Sequence, residues 1–187
     1  MADKVFFGIK NVYYAIGTDD GNGGLTYATP VAIPGARSIS LSASGDATDW
    51  YADNTKYFST FANNGYEGDL VVAMLPDSFR TGVLGETLDT KGFYVENNNK
   101  PTVEFALLFQ FETDANAIRH CLYRCTASRP AVSSSTIEAT KEPQEETITI
   151  KAMPLISTGN VKARANYNSS STSSYALWFS AVQTPSV

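Results

Sequence analysis

His120, Cys121 and Cys125 are the residues whose side chains could bind a transition metal or act as nucleophiles. They are the single histidine and the only two cysteines of the 187-residue chain. On a strand that rises roughly 3.3 Å per residue, Cys121 and Cys125 would share a face about 13 Å apart, with His120 on the opposite face. One ion cannot reach all three, and the two thiols cannot form a disulfide. We therefore predict no metal and no cofactor, and we expect both cysteines to be buried as small apolar side chains.

Pairs of carboxylates offer a second route to catalysis, because a glycosidase needs only two of them at the right separation. Glu67 with Asp69, and Glu104 with Glu112, are spaced to share a strand face. With nineteen acidic residues in the chain, such pairs also arise by chance on solvated faces. We therefore predict that the protein is not an enzyme, and a carbohydrate-active enzyme that uses two carboxylates is an alternative.

Basic residues are too dispersed to form an anion-binding site. Arg119, Arg124 and Arg129 recur every five residues, a spacing that alternates strand faces, so we expect them to form ion pairs within or between chains. The formal net charge of −5 disfavours electrostatic capture of nucleic acid or of an anionic membrane. The chain also has no run of about 18 apolar residues and no export signal at its start, which predicts a soluble protein made in a cytoplasm.

Alternation of apolar and polar residues with a period of two predicts a mainly β fold in a single domain over residues 1–187. The predicted strands cover residues 5–9, 12–16, 38–44, 69–74, 93–96, 103–112, 121–127, 146–153 and 175–182. Because each has an apolar face, they imply a β-sandwich or barrel of two packed sheets. A short flanking helix after Pro76, capped by Asp77 or Ser78, is expected to place Phe79 and Val83 over an open side of the core, with Gly85 in the left-handed conformation after it.

Two segments are predicted to be long loops. Residues 45–64 lack a clear strand but contain five aromatic residues, namely Trp50, Tyr51, Tyr57, Phe58 and Phe61. Aromatic side chains on so long a loop indicate a projecting segment that contacts a partner. The serine-rich tract 166–174 is predicted to be a flexible loop.

Charge is unevenly distributed along the chain. Residues 1–117 carry fifteen acidic and seven basic side chains, whereas residues 118–187 carry four and seven. Opposite charges on different faces would attract copies of the chain head to tail. The alternative is that folding intermixes the two sets.

Seven segments, in this order, resemble the major tail proteins of long-tailed bacteriophages: Val5-Phe-Phe-Gly-Ile-Lys-Asn-Val-Tyr-Tyr-Ala15, Pro30-Val-Ala-Ile-Pro-Gly-Ala-Arg-Ser-Ile-Ser-Leu41, Trp50-Tyr-Ala-Asp-Asn54, Gly65-Tyr-Glu-Gly-Asp-Leu70, Leu75-Pro-Asp77, Phe105-Ala-Leu-Leu-Phe109 and Tyr123-Arg-Cys-Thr-Ala-Ser-Arg-Pro130. The resemblance covers roughly residues 5–155. It implies a structural virion protein that forms hexameric rings, which stack into a tail tube through which the genome passes. It implies no catalytic residues and no cofactor.

The resemblance also implies the partners and the location. The partners are other copies of the chain and other tail proteins, such as the tape measure, terminator and distal tail proteins. DNA passes without sequence-specific binding, and the protein, which is made in the bacterial host cytoplasm, is located in the virion tail.

Two sets of residues are candidates for specific roles under this resemblance. Trp50, Tyr51, Tyr57 and Phe58 are expected to anchor contacts between subunits or rings. The face with Glu104, Gln110 and Glu112, or the serine face of residues 38–44, is expected to line the bore, where an acidic surface lets DNA slide. A receptor-binding or adaptor β-module of the same tail is the alternative, and it would form a small closed oligomer.

Overall fold

The computed structural model describes residues 4–136, 143–167 and 172–185, which form thirteen strands and two short helices. In chain order these are β1 (Phe6–Asp19), β2 (Leu25–Tyr27), β3 (Val31–Ala32), β4 (Ala36–Ser44), β5 (Ala47–Ala52), β6 (Thr55–Phe61), β7 (Gly65–Val72), α1 (Asp77–Gly82), β8 (Thr87–Leu88), β9 (Tyr94–Val95), β10 (Phe105–Thr113), β11 (Ile118–Ala127), β12 (Glu146–Met153), β13 (Lys162–Ala165) and α2 (Thr172–Ala176).

Nine of the strands form one antiparallel sheet. Its order is β2-β1-β10-β11-β12-β7-β4, with β3 also paired to β1 and β13 also paired to β11. The sheet curves so that Cα atoms of β1 and β4 come within 8 Å of each other, but no hydrogen-bonded ladder joins these two strands in the described ranges. The mainly β prediction is confirmed, and the packing is that of a β-sandwich. The alternative prediction, a closed barrel, is wrong, because the strands at the two ends of the sheet do not pair with each other.

The inner face of the curved sheet encloses the main core. Alternate residues of β10 point inward, including Phe105, Leu107 and Phe109, and they meet side chains from β7, β11 and β12. This alternation is why β10 was recognisable in the sequence as a strand with one apolar face.

Helix α1 covers one side of this core, as expected. The ring of Phe79 packs edge-on against Tyr14 and Phe105, with centroid distances of 5.0 and 5.5 Å. The predicted cap is wrong: the N-cap residue is Pro76, and no side chain there accepts a hydrogen bond from the helix. Gly85 does have the positive φ expected after the helix, at 77°.

A second core lies on the outer face of the sheet. Ala106 and Leu108 of β10, together with Tyr123 of β11, are covered by Trp178 from the C-terminal segment. β10 is therefore buried on both faces.

The C-terminal segment is not the strand predicted at residues 175–182. Tyr175, Trp178, Phe179 and Val182 all pack on the outer core, and their spacing of three, four and seven is that of one helix face. Helix α2 and the turns after it realise this period. Of the serine-rich tract 166–174, residues 168–171 lie outside the described residues, and residues 172–174 belong to α2 rather than to a loop.

The segment 45–64 is also more regular than predicted. β5 and β6 form a two-stranded antiparallel hairpin, with Asp53 and Asn54 at its turn. Asp53 has a φ of 50 and Asn54 a φ of 60 degrees. A type I′ turn requires positive φ at both central residues. The expected aromatic loop is therefore a β-hairpin.

Ion pairs join the acidic and basic parts of the sequence. Arg124 pairs with Glu104 at 2.7 Å, and Lys151 pairs with Glu67 at 3.2 Å. Folding therefore intermixes the two charge sets. Among the described residues, no helix has the length and apolar character needed to cross a membrane.

Candidate assembly surfaces

The β5–β6 hairpin exposes a dense group of aromatic side chains. Their exposed fractions are 59% for Trp50, 64% for Tyr51, 73% for Tyr57, 57% for Phe58 and 78% for Phe61. Trp50 and Phe58 are direct cross-strand partners and so share a face, and the ring of Tyr57 packs edge-on against Trp50 at 5.8 Å. These residues form an apolar surface that the other described residues of the chain do not cover.

Polar contacts within the hairpin hold its two strands together. The ammonium of Lys56 lies 2.7 Å from the Asp49 carboxylate, and the Ser59 hydroxyl donates to the same carboxylate at 2.6 Å. These two hydrogen bonds lower the pKa of Asp49. A two-stranded hairpin is only marginally stable in water by itself. A hairpin that also exposes aromatic side chains is therefore typical of a segment that packs against another molecule.

The residues expected to line a bore do not share one open surface of the subunit. Gln110 is only 7% exposed. Glu104 accepts hydrogen bonds from Arg124 Nε on both carboxylate oxygens, at 2.9 and 3.0 Å. Glu112 is half-exposed and pairs with Lys10 at 3.0 Å. The outer core covers β10 between Glu104 and Gln110, so the three side chains are separated.

The serine face of residues 38–44 remains open to solvent. Ser38, Ser40 and Ser42 of β4 are exposed, and the apolar residues between them, Ile39 and Leu41, pack towards the inner core. This alternation is the one expected from the sequence.

The histidine and cysteines do not form a metal site. A register shift in β11 places Cys121 in the outer core and Cys125 in the inner core, so the expectation that they share a face is wrong. Both thiols are free and buried, as predicted, and burial raises the pKa of each. Within the described ranges, no group of three His, Cys, Asp or Glu residues could hold a metal ion.

His120 lies on the inner face, stacked on Phe109 with a centroid distance of 5.1 Å and an interplanar angle of 12°. Burial, and to a smaller extent the positive charges of Lys162 and Arg164, lowers the pKa of His120 to about 4. The imidazole is therefore neutral at physiological pH, and among the described residues no carboxylate orients it as a triad would require.

The candidate catalytic carboxylates have structural partners. Glu67 pairs with Lys151, and Asp69 accepts a hydrogen bond from the Thr149 hydroxyl at 2.9 Å. Together with the pairs of Glu104 and Glu112 described above, these contacts use each carboxylate to connect neighbouring strands.

The three evenly spaced arginines also serve separate structural contacts. The guanidinium of Arg119 lies 3.8 Å from the ring centroid of Tyr175, whereas Arg129 pairs with Glu96 at 2.9 Å. With Arg124 paired to Glu104, no two of them converge on one site.

Sequence reasoning missed a groove at the open end of the sandwich. A cavity of about 330 Å³ lies between β4 and the β10–β11 pair and is lined mainly by apolar and aromatic side chains. Its lining residues are Ile39, Ser40, Leu41, Tyr66, Phe109, Phe111, His120, Leu122 and Lys162. We call this cavity the β4–β11 groove. No sequence pattern points to it, because its walls come from strands far apart in the chain.

Two exposed phenylalanines adjoin the β4–β11 groove. Phe6 and Phe7 are 68% and 70% exposed, and Phe6 stacks on the groove residue Phe111 at 5.7 Å. The consecutive apolar residues Val5, Phe6 and Phe7 could have indicated an exposed apolar surface in the sequence. Adjacent strand residues point to opposite faces, so the three side chains cannot all enter one core.

Fold and surface together define a class of protein. It is a mainly β protein whose candidate catalytic carboxylates each have a structural partner, and whose most distinctive surface is an apolar one suited to contact with other protein. A family model described as phage tail tube protein matches residues 6–182. The chain belongs to this family, which makes it a structural protein of a phage tail. Comparison with curated protein sequences gives no match.

Proposed function

We propose that copies of this chain assemble into hexameric rings and that the rings stack into the tube through which DNA passes into the host. The observation that carries the proposal is the β5–β6 hairpin, whose aromatic side chains are more than half exposed in the subunit. Covering such side chains yields about 25 cal/mol per Å² of apolar surface removed from water, so their burial against another copy stabilises the contact. In this assembly Trp50, Tyr51, Tyr57 and Phe58 anchor the contacts between subunits or rings.

The surface that faces the DNA needs no tight binding. An acidic subunit with a net charge of −5 does not retain phosphates, so a tube of such subunits lets DNA slide. The exposed serines of β4 and the half-exposed Glu112 fit such a lining better than Gln110, which is buried. The proposed partners are other copies of the chain and further tail proteins, including the tape measure, terminator and distal tail proteins.

The proposal predicts that the hairpin aromatics control assembly. We expect the double variant Trp50→Ala, Phe58→Ala to fold normally but to form no rings or tubes, because the contact loses its central apolar anchors. The measurement is negative-stain microscopy with sedimentation velocity over a concentration series, and thermal unfolding reports on the fold.

Phe93→Ala is the matched control, because Phe93 is an aromatic residue of similar exposure, 62%, located outside the hairpin. We expect Phe93→Ala to assemble like the wild type. Wild-type protein that stays monomeric, or forms only small closed particles, would contradict the proposal, and the latter result would favour the receptor-binding or adaptor alternative.

A further inference from the structure

The rim of the β4–β11 groove carries positive charge that no partner in the described part of the subunit neutralises. Lys162 and Arg164 of β13 are exposed, and Arg164 is the cross-strand partner of His120 on the groove wall. Lys162 lies over the ring of Tyr66, 4.2 Å from its centroid, and donates a hydrogen bond to its hydroxyl at 2.9 Å. Among the residues that the structure describes, no carboxylate lies within ion-pair distance of either basic group.

The hairpin has the complementary character. Besides its aromatic residues it carries Asp46, Asp49 and Asp53 against the single cation Lys56. Lys56 pairs with Asp49, and among the described residues no basic side chain lies within ion-pair distance of Asp46 or Asp53. The hairpin is therefore apolar at its centre and negative at its two ends, whereas the groove is apolar inside and positive at its rim.

We infer that the β5–β6 hairpin of one copy inserts aromatic side chains into the β4–β11 groove of a neighbouring copy. The cavity of about 330 Å³ is within the range of sites that enclose a small organic group, and most of its lining is apolar. The aspartate at one end of the hairpin, Asp46 or Asp53, then approaches Lys162 and Arg164, so apolar burial and opposite charges favour the same orientation. This inference rests on the proposed self-assembly and specifies which surface receives the hairpin.

A disulfide between different copies tests the inference. One population carries Thr60→Cys, at an exposed position on the Trp50–Phe58 face of the hairpin, and a second, size-tagged population carries Leu41→Cys, at a half-buried position that lines the groove. Cys121 and Cys125 do not compete, because both are buried and burial raises the pKa of each thiol. After mixing, assembly and mild oxidation, we expect a mixed dimer on a non-reducing gel.

The matched control pairs Thr60→Cys with Ser133→Cys, a serine that is exposed and lies outside the groove. Docking holds the two groove-pair thiols at high effective concentration, so we expect at least about tenfold more mixed dimer than in the control. Rings or tubes without this excess would overturn the inference and leave the proposed assembly intact. Absence of any assembly by wild-type protein would overturn both.

Charge reversal at the rim gives an independent test. We expect Lys162→Glu to raise the concentration needed for assembly about tenfold, because the rim then repels Asp46 or Asp53. Lys162→Arg keeps the charge and is expected to assemble like the wild type. Thermal unfolding confirms that both variants fold, and assembly of Lys162→Glu at the wild-type concentration would contradict the inference.

Discussion

The imidazole of His120 stacks on Phe109, tilts against Phe111 with a centroid distance of 5.0 Å, and has two basic side chains near it. Burial and the positive charge of Lys162 and Arg164 both disfavour the protonated ring, which is why the pKa falls from 6.5 to about 4. In the unfolded chain the same ring binds a proton below about pH 6.5. Protonation therefore favours the unfolded chain.

This pKa shift predicts an acid-sensitive stability. Between pH 6.5 and pH 4 the unfolded state binds more protons at His120 than the folded state, so the free energy of unfolding falls as the pH falls. We expect a loss of about 1 to 2 kcal/mol at pH 5 relative to pH 7 from this residue, allowing for its partial exposure. Urea unfolding at pH 7, 6 and 5 measures it.

The variant His120→Phe keeps an aromatic ring on Phe109 and removes the titrating group. We expect its stability to change less between pH 7 and pH 5 than that of the wild type. The same pH dependence in both proteins would show that other groups cause the loss.

The burial of both cysteines was predictable from the sequence, because thiols outside a disulfide or metal pattern usually pack as small apolar side chains. The sequence did not predict that Cys121 and Cys125 lie on opposite faces of the sheet, because ideal alternation assumes a regular strand. The pairing of β10 and β11 changes register between Phe105 and Leu107, and this inserts an extra residue in β11.

At the level of elements, α1 is stabilised by what it covers rather than by a cap. Phe79 is fully buried between Tyr14 and Phe105, whereas Ser78 is exposed and makes no capping hydrogen bond. Tertiary packing therefore determines whether this six-residue helix forms, as expected for a helix too short to be stable alone.

Two substitutions in α1 separate packing from capping. We expect Phe79→Ala to lower the free energy of unfolding by about 3 to 5 kcal/mol, because it leaves a cavity in the inner core. We expect Ser78→Ala to change it by less than about 0.5 kcal/mol. Chemical denaturation measures both, and a large effect of Ser78→Ala would mean that its side chain caps the helix after all.

Strands were predicted correctly where one face is buried and the other is exposed. β12 has the predicted bounds, because Ile148, Ile150 and Ala152 are buried while the residues between them are exposed. β5 and β6 were missed because both of their faces are exposed, so no alternation marks them. In α2 and the turns after it the helical period was present, but the four apolar residues that carry it also fit an alternating strand in part.

At the scale of the whole molecule, β10 is the middle layer between two cores. The C-terminal segment covers the outer core through Trp178, which is 5% exposed and donates a hydrogen bond from Nε1 to the carbonyl of His120 at 3.3 Å. The second core makes the C-terminal segment part of the folded domain.

Substitutions at the adjacent residues Trp178 and Leu177 test how much the outer core contributes to the stability of the fold. We expect Trp178→Ala to lower the free energy of unfolding by about 3 kcal/mol, because it uncovers Leu108 and Tyr123. Leu177→Ala is the control, since the Leu177 side chain is 53% exposed. We expect this control to change stability by less than about 0.5 kcal/mol. Equal effects in thermal or urea unfolding would show that the segment is not anchored through the indole ring.

The order of the strands in the sheet determines when each strand can pair during synthesis of the chain. β7 connects to β11 through β12, so β4 and β7 cannot join the rest of the sheet until the ribosome has released residues through Met153. Until then the nascent chain carries an excess of acid, since residues 1–117 hold fifteen acidic and seven basic side chains and Glu67 lacks its partner Lys151. Like charge makes emerging chains repel one another during this interval, when the residues of their inner core are still open to water.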